Sequence, residues 1–100
     1  MVQRQSAFYD ALQQYDPEFY KVVSAVREKT TAGGALDDKT RTLISLALDA
    51  AAGASQGVKN LAKRARELGA SEDEIRDVMR QVYRNKGNQA LVVAQSAFEK

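Results

Sequence analysis

Residues 43–54 read Leu-Ile-Ser-Leu-Ala-Leu-Asp-Ala-Ala-Ala-Gly-Ala and form the longest apolar run of this 100-residue chain. In a helix, this run places apolar side chains around nearly the whole circumference, which is typical of a central buried helix. The run includes Ser45 and Asp49, and it is too short and too polar to cross a bilayer. We therefore expect no membrane partner.

Helical periodicity continues on both sides of this run. Asp16 before Pro17 predicts a cap and a first helical residue, and Ser71 with Glu74 matches a capping box. Either Asp37 or Asp38 is expected to cap the third helix. Helix ends or breaks are predicted at Gly33-Gly34, Gly53–Gly57, Gly69 and Gly87. No segment alternates convincingly between apolar and polar residues. The sequence predicts an all-α fold of about six helices in a single domain, residues 1–100.

The composition excludes several chemistries. The chain has no Cys and no His, so it can form no disulfide, thiol nucleophile, imidazole base or His-ligated metal site. We predict no metal, no cofactor and no assigned catalytic residue. Basic and acidic residues are interleaved and the net charge is only +2, which argues against a nucleic-acid partner. Residues 1–6 lack an apolar stretch after a basic start, so we expect no signal peptide and a cytoplasmic protein.

Three stretches together carry a family resemblance. Residues 36–47 read Leu-Asp-Asp-Lys-Thr-Arg-Thr-Leu-Ile-Ser-Leu-Ala, residues 69–75 read Gly-Ala-Ser-Glu-Asp-Glu-Ile, and residues 87–92 read Gly-Asn-Gln-Ala-Leu-Val. With Gly53 and Ala65 between them, this order resembles the carboxymuconolactone decarboxylase-like family, which includes the alkyl hydroperoxidase D proteins. The resemblance covers roughly residues 16–98. It implies a helical fold and a homo-oligomer, either a trimer or a hexamer.

The resemblance also implies where catalytic residues would stand in the peroxidase branch. That branch has a Cys-x-x-Cys pair, a His four residues after the second Cys, and a relay Glu on the preceding helix. In this chain, those four mapped positions hold Ala54, Gly57, Leu61 and Thr42. The decarboxylase branch also places a His at the position of Leu61. We therefore expect neither thiol peroxidase nor disulfide reductase activity.

Two groups of polar residues could supply other chemistry. Thr42, Ser45 and Asp49 share one helix face at spacings of i, i+3 and i+7. An unpartnered carboxylate in an apolar turn costs free energy, so the role of Asp49 needs an explanation. In the functional interpretation, Asp49 is an acid/base or a ligand anchor. In the structural interpretation, it pairs with a base of a neighbouring helix or subunit, or it lies on an oligomer surface. The second group surrounds the mapped cysteine positions and comprises Ser55, Gln56 and Lys59.

The second group also has two interpretations. Ser55, Gln56 and Lys59 either bind a small polar ligand at a helix N-terminus, or Ser55 caps the helix and the other two are solvated. The leading hypothesis is a non-redox, oligomeric scaffold or small-ligand-binding protein. The alternative is an enzyme of altered chemistry, a lyase or hydrolase acting on a small acid, that uses Asp49 and nearby polar groups. An accessory protein that docks on a partner is a weaker third hypothesis.

Overall fold

A computed structural model describes residues 7–31 and 33–99. Residues 1–6, on which the signal-peptide prediction depends, lie outside this description, as do the side chains of residues 89–91 in the family-like stretch 87–92. The described residues form six α-helices, a final 3₁₀ turn and no strand, which confirms the all-α prediction. The helices are α1 (Ala7–Tyr15), α2 (Pro17–Thr31), α3 (Asp38–Ala52), α4 (Ser55–Glu67), α5 (Glu72–Lys86) and α6 (Asn88–Ala94), and the 3₁₀ turn is Gln95–Phe98.

The chain comprises two compact units, Met1–Ala35 and Leu36–Lys100. In the first unit, a single residue, Asp16, joins α1 to α2. Its carboxylate accepts a hydrogen bond from the backbone N–H of Phe19 at 3.1 Å, so Asp16 caps α2 as predicted. The guanidinium of Arg27 lies 3.9 Å from the centre of the Tyr9 ring, a cation–π contact between the two helices. No residue of α2 is buried.

The core of the second unit forms where α3 packs against α4 and α5. Its largest fully buried side chains are those of Leu46, Val58 and Ile75. The central position of Leu46 agrees with the sequence prediction. The prediction that apolar residues around all of α3 are buried is wrong, because Ile44 and Leu48 are 45% and 65% exposed. Within the second unit, the core covers only one side of α3.

Glycines with positive φ end the helices at the predicted positions. Gly53 has φ +80°, and its N–H donates to the carbonyl of Ala50 at 3.3 Å. The N–H of Ala54 donates to the carbonyl of Asp49 at 2.9 Å, so two residues suffice to join α3 to α4. Gly87 also has a positive φ, +81°, at the end of α5, but its N–H donates to the carbonyl of Tyr83 at 2.8 Å. These short links hold α4 beside α3 and α6 beside α5.

The start of α5 is tied to the start of α3. The hydroxyl of Ser71 accepts from the N–H of Glu74 at 3.0 Å, and the carboxylate of Glu74 accepts from the N–H of Ser71 at 2.9 Å, which confirms the capping box. The same carboxylate lies 3.0 Å from the ammonium of Lys39, in the first turn of α3. The hydrogen bond from the Ser71 backbone, followed by that from Lys39, holds the pKa of Glu74 below its ordinary value of 4.5.

This lowered pKa predicts acid sensitivity. The stabilisation is present above the ordinary pKa of Glu74 and is lost as the pH falls through its lowered value in the folded chain. Glu74→Gln should therefore lower the free energy of unfolding near neutral pH and make it less dependent on pH between about pH 6 and about pH 3. Urea unfolding across that range measures both effects. Glu28→Gln, which alters an exposed carboxylate of α2, is the control, and the account fails if the two variants keep the same pH dependence.

Candidate functional site

The side chain of Asp49 lies directly over Gly57. Asp49 stands in the last turn of α3 and Gly57 in the first turn of α4. A Cβ atom built on Gly57 would lie 3.0 Å from Cγ of Asp49 and would collide with its Oδ2. Only glycine therefore leaves room for the carboxylate in this position. Asp49 is half-buried, and no other residue in the described ranges forms an ion pair or hydrogen bond with its carboxylate.

The four mapped positions lie on α3 and on the first part of α4, two helices that pack against each other. Ala54 is the N-cap of α4, Gly57 follows in the first turn, and Leu61 packs against the core one turn later. Leu61 is about 6 Å along α4 from Gly57, and Thr42 is about 10 Å along α3 from Asp49. Because the chain reverses direction at Gly53, Leu61 and Thr42 both lie on the same side of the contact between Asp49 and Gly57. The mapped positions thus share one helix pair.

The polar residues that were predicted to share one face of α3 do not form a single site. The Thr42 hydroxyl donates to the carbonyl of Asp38 at 2.8 Å, so it bonds its own helix. Ser45 is exposed, and only Asp49 reaches across to α4. Among the described residues, no base from a neighbouring helix pairs with Asp49. A subunit partner or a ligand for this carboxylate stays a prediction.

The predicted cap at Ser55 is wrong. Ser55 is the first residue of α4, and Ala54 holds the N-cap position without a side-chain hydrogen bond. The reason is that the carbonyl of Ala54 already accepts from the N–H of Val58 at 2.9 Å, which closes the first helical turn one residue earlier. The side-chain amide of Gln56 donates to Asn60 at 3.1 Å on the outer face of α4.

Gln56 and Lys59 line a groove along the outer face of α4, away from Asp49. This α4 groove has a volume of about 850 Å³ and extends from Gln56, Lys59, Asn60 and Lys63 to Phe98 and Glu99. The structure therefore separates the six candidate residues, with Asp49 at the α3–α4 seam and two others in the α4 groove. Sequence analysis missed Asn60 and Lys63, although their i+4 spacing from Gln56 and Lys59 placed them on the same helix face.

One side of the α4 groove is fixed by Arg66. Its Nε and Nη2 donate to the two carboxylate oxygens of Glu72 at 2.7 and 2.9 Å, and Nη2 also donates to the carbonyl of Ala97 at 2.9 Å. The hydrogen bonds from Arg66 lower the pKa of Glu72. Glu72 thus compensates the charge of Arg66. Lys59 and Lys63, by contrast, form no ion pair with any residue in the described part of the chain.

Neither a metal centre nor a membrane span is found among the described residues. No group of three or more acidic side chains there could hold a metal ion. No described helix is both long enough and apolar enough to cross a bilayer.

The contact between Asp49 and Gly57 predicts energetic coupling between the two positions. In a helix, Gly→Ala gains up to about 1 kcal/mol from propensity, but here the new methyl group must displace the Asp49 carboxylate. Gly57→Ala should therefore stabilise the Asp49→Ala variant more than the wild type, by at least about 0.5 kcal/mol. Chemical unfolding of all four proteins measures this difference. Asp49→Asn is the control, because Asn has nearly the same shape as Asp. In that background, Gly57→Ala should stabilise the protein no more than it does in the wild type. Equal effects of Gly57→Ala in all three backgrounds would contradict the contact.

Comparisons with known proteins support the resemblance drawn from the sequence. The profile of the carboxymuconolactone decarboxylase family matches residues 17–100. The uncharacterized protein MJ1511 of Methanocaldococcus jannaschii is 37% identical over 82 residues, which cover 82% of this chain and 77% of the relative. The uncharacterized protein MJ0742 of the same organism is 31% identical over 85 residues, covering 84% and 82% of the two chains. This chain belongs to the carboxymuconolactone decarboxylase family.

Proposed function

We propose that this chain is a non-redox member of its family, a homo-oligomeric scaffold that binds a small polar ligand and has no thiol peroxidase activity. Peroxide reduction by this family's peroxidase branch requires a thiolate and a nearby base. The mapped positions Ala54, Gly57 and Leu61 provide neither, and the sequence contains no Cys or His elsewhere that could replace them. The carboxylate of Asp49 further occupies the space beside Gly57.

The α4 groove is the observation that carries the ligand-binding proposal. Lys59 and Lys63 stand one turn apart on α4, in a groove that Glu67 and Glu99 also line. Neither lysine forms an ion pair with a described residue, so both ammonium groups can bind an anionic group. The side-chain amides of Gln56 and Asn60 add hydrogen-bonding groups, and Phe98 offers an apolar wall. Polar groups converging beside an apolar surface are typical of small-ligand sites. A small organic acid with a flat apolar part fits this arrangement.

Exposed apolar side chains support the proposal that the protein assembles. Ile44 and Leu48 of α3 are exposed, as are Tyr83 of α5 and Val92 of α6. A helical surface with this many large apolar groups favours burial against other copies. The number of copies, a trimer or a hexamer, is proposed from the family resemblance.

The ligand proposal is tested with 4-hydroxybenzoate, which carries a carboxylate, a hydroxyl group and a ring. Titration followed by amide NMR should shift the signals of residues around Lys59 and Lys63. Replacing both lysines by Gln should weaken binding by at least about tenfold, because two charge-assisted contacts are lost. Lys86→Gln on α5 is the control and should bind as the wild type does. If neither this probe nor other small organic acids shift the groove signals, the ligand proposal is wrong.

A second candidate function rests on Asp49. A half-buried carboxylate that no described residue pairs with can act as a general base or an acid in hydrolysis or elimination. Its carboxylate lies against Gly57, which is one of the mapped cysteine positions. We therefore keep a lyase or hydrolase that acts on a small acid as the alternative.

Asp49→Asn distinguishes the two functions, because it removes the charge but keeps the shape. The non-redox binding protein should turn over no member of a panel of small esters, lactones and carboxylic acids, before or after the substitution. The enzyme alternative instead requires turnover by the wild type that falls by about 100-fold or more in Asp49→Asn, with assembly intact. Product release and sedimentation velocity are measured on the same samples. Loss of assembly alone would assign Asp49 to a subunit contact.

A further inference from the structure

The exposed side of α2 carries a regular seam. Glu18, Val22, Ala25 and Lys29 follow one another at spacings of four, three and four residues, as in the contact line of paired helices. Lys21 and Val26 flank them. We call these six residues the α2 seam. Together with Thr30 they line a shallow cavity of about 620 Å³, and Val22 and Val26 are 59% and 58% exposed.

The α2 seam is symmetric about its centre. Glu18 and Lys29 stand equally far from the midpoint between residues 23 and 24, and so do Val22 and Ala25. If a second α2 lies antiparallel on the first, a two-fold axis through this midpoint places Glu18 opposite Lys29 of the second copy. The same axis places Val22 opposite Ala25 of the second copy. A large side chain then meets a small one, which allows the helices to approach closely.

Glu18 and Lys29 of the α2 seam complement each other in such a pairing. Glu18 and Lys29 are eleven residues apart, or about 16 Å along the helix, so they cannot pair within one α2. Neither forms an ion pair with another described residue. In the antiparallel arrangement both acids meet lysines, and the two helix dipoles are also opposed. A parallel arrangement would instead place like charges together at both ends.

We propose that α2 pairs antiparallel with α2 of a second copy of this chain, across a two-fold axis at the centre of the α2 seam. The proposal rests on the homo-oligomer proposed above and names one of its contacts. A two-fold contact cannot exist within a closed trimer, whereas it joins two trimers into a hexamer. The α2 seam thus selects the hexamer over the trimer.

Charge reversal on the full chain tests this pairing. Each α2 contact contains two pairs of positions 18 and 29, and Glu18→Lys or Lys29→Glu places like charges at both pairs. Each variant alone should therefore form trimers, because the association of two trimers should be at least about tenfold weaker than in the wild type. When the two variant trimers are mixed, every α2 contact between unlike trimers regains opposite charges, and hexamers should form again. Sedimentation velocity measures the assemblies, and far-UV circular dichroism checks the helices.

Two further variants complete the test. Val22→Asp should also stop at the trimer, because it places two carboxylates in the apolar centre of the contact. Lys86→Glu is the matched control, because Lys86 lies in the last turn of α5 just as Lys29 lies in the last turn of α2. This variant should remain hexameric.

The outcomes separate this contact from the proposed function. A wild-type trimer, or hexamers that survive all three α2 substitutions, would overturn the α2 contact and leave the proposed homo-oligomer standing. A mixture of the two charge variants that stays trimeric would also overturn it. A wild-type monomer would overturn both proposals. A wild-type dimer that follows the predicted charge pattern would support the α2 contact and contradict the trimer or hexamer.

Discussion

The close approach of α3 to α4 is the constraint on which the rest of the second unit depends. Ala50 of α3 and both Ala62 and Ala65 of α4 are fully buried, and their small side chains let the two helix backbones come near each other. At the end of this seam, Gly57 lets the carboxylate of Asp49 cross from one helix to the other. The four mapped positions belong to the same two helices. The close packing of α3 against α4 therefore also limits which side chains fit between the two helices.

The side chains at the mapped positions differ from those of the family's peroxidase branch. With Ala54 at the start of α4 and Leu61 packed toward the core, the seam offers no thiol and no imidazole. The polar groups of α4 instead face outward, where Lys59 and Lys63 line the α4 groove. The pair of Arg66 and Glu72 fixes one side of that groove. The proposed ligand site therefore lies on the outer face of α4 and not between α3 and α4.

Local chemistry explains which features the sequence predicted. The caps at Asp16 and Ser71 and the break at Gly53 involve residues close in sequence, and Asp37 proved to be the cap of α3, since its carboxylate accepts from Thr40 at 2.7 Å. Contacts between distant residues could not be predicted. Periodicity could not show that Ile44 and Leu48 face outward, because apolar residues occupy nearly the whole circumference of residues 43–54 and only the neighbouring helices decide which side is covered. The contact between Asp49 and Gly57 and the 35-residue link from Lys39 to Glu74 likewise depend on tertiary packing.

This chain keeps the framework of its family without the Cys and His residues of the peroxidase branch. The most direct measurement is the reduction of an organic hydroperoxide by the purified wild-type chain, with a dithiol as the reductant and no added partner protein. Because the chain has no cysteine to form a thiolate, the account predicts the rate of buffer alone at every protein concentration. A rate that rises in proportion to the concentration of the chain would contradict it.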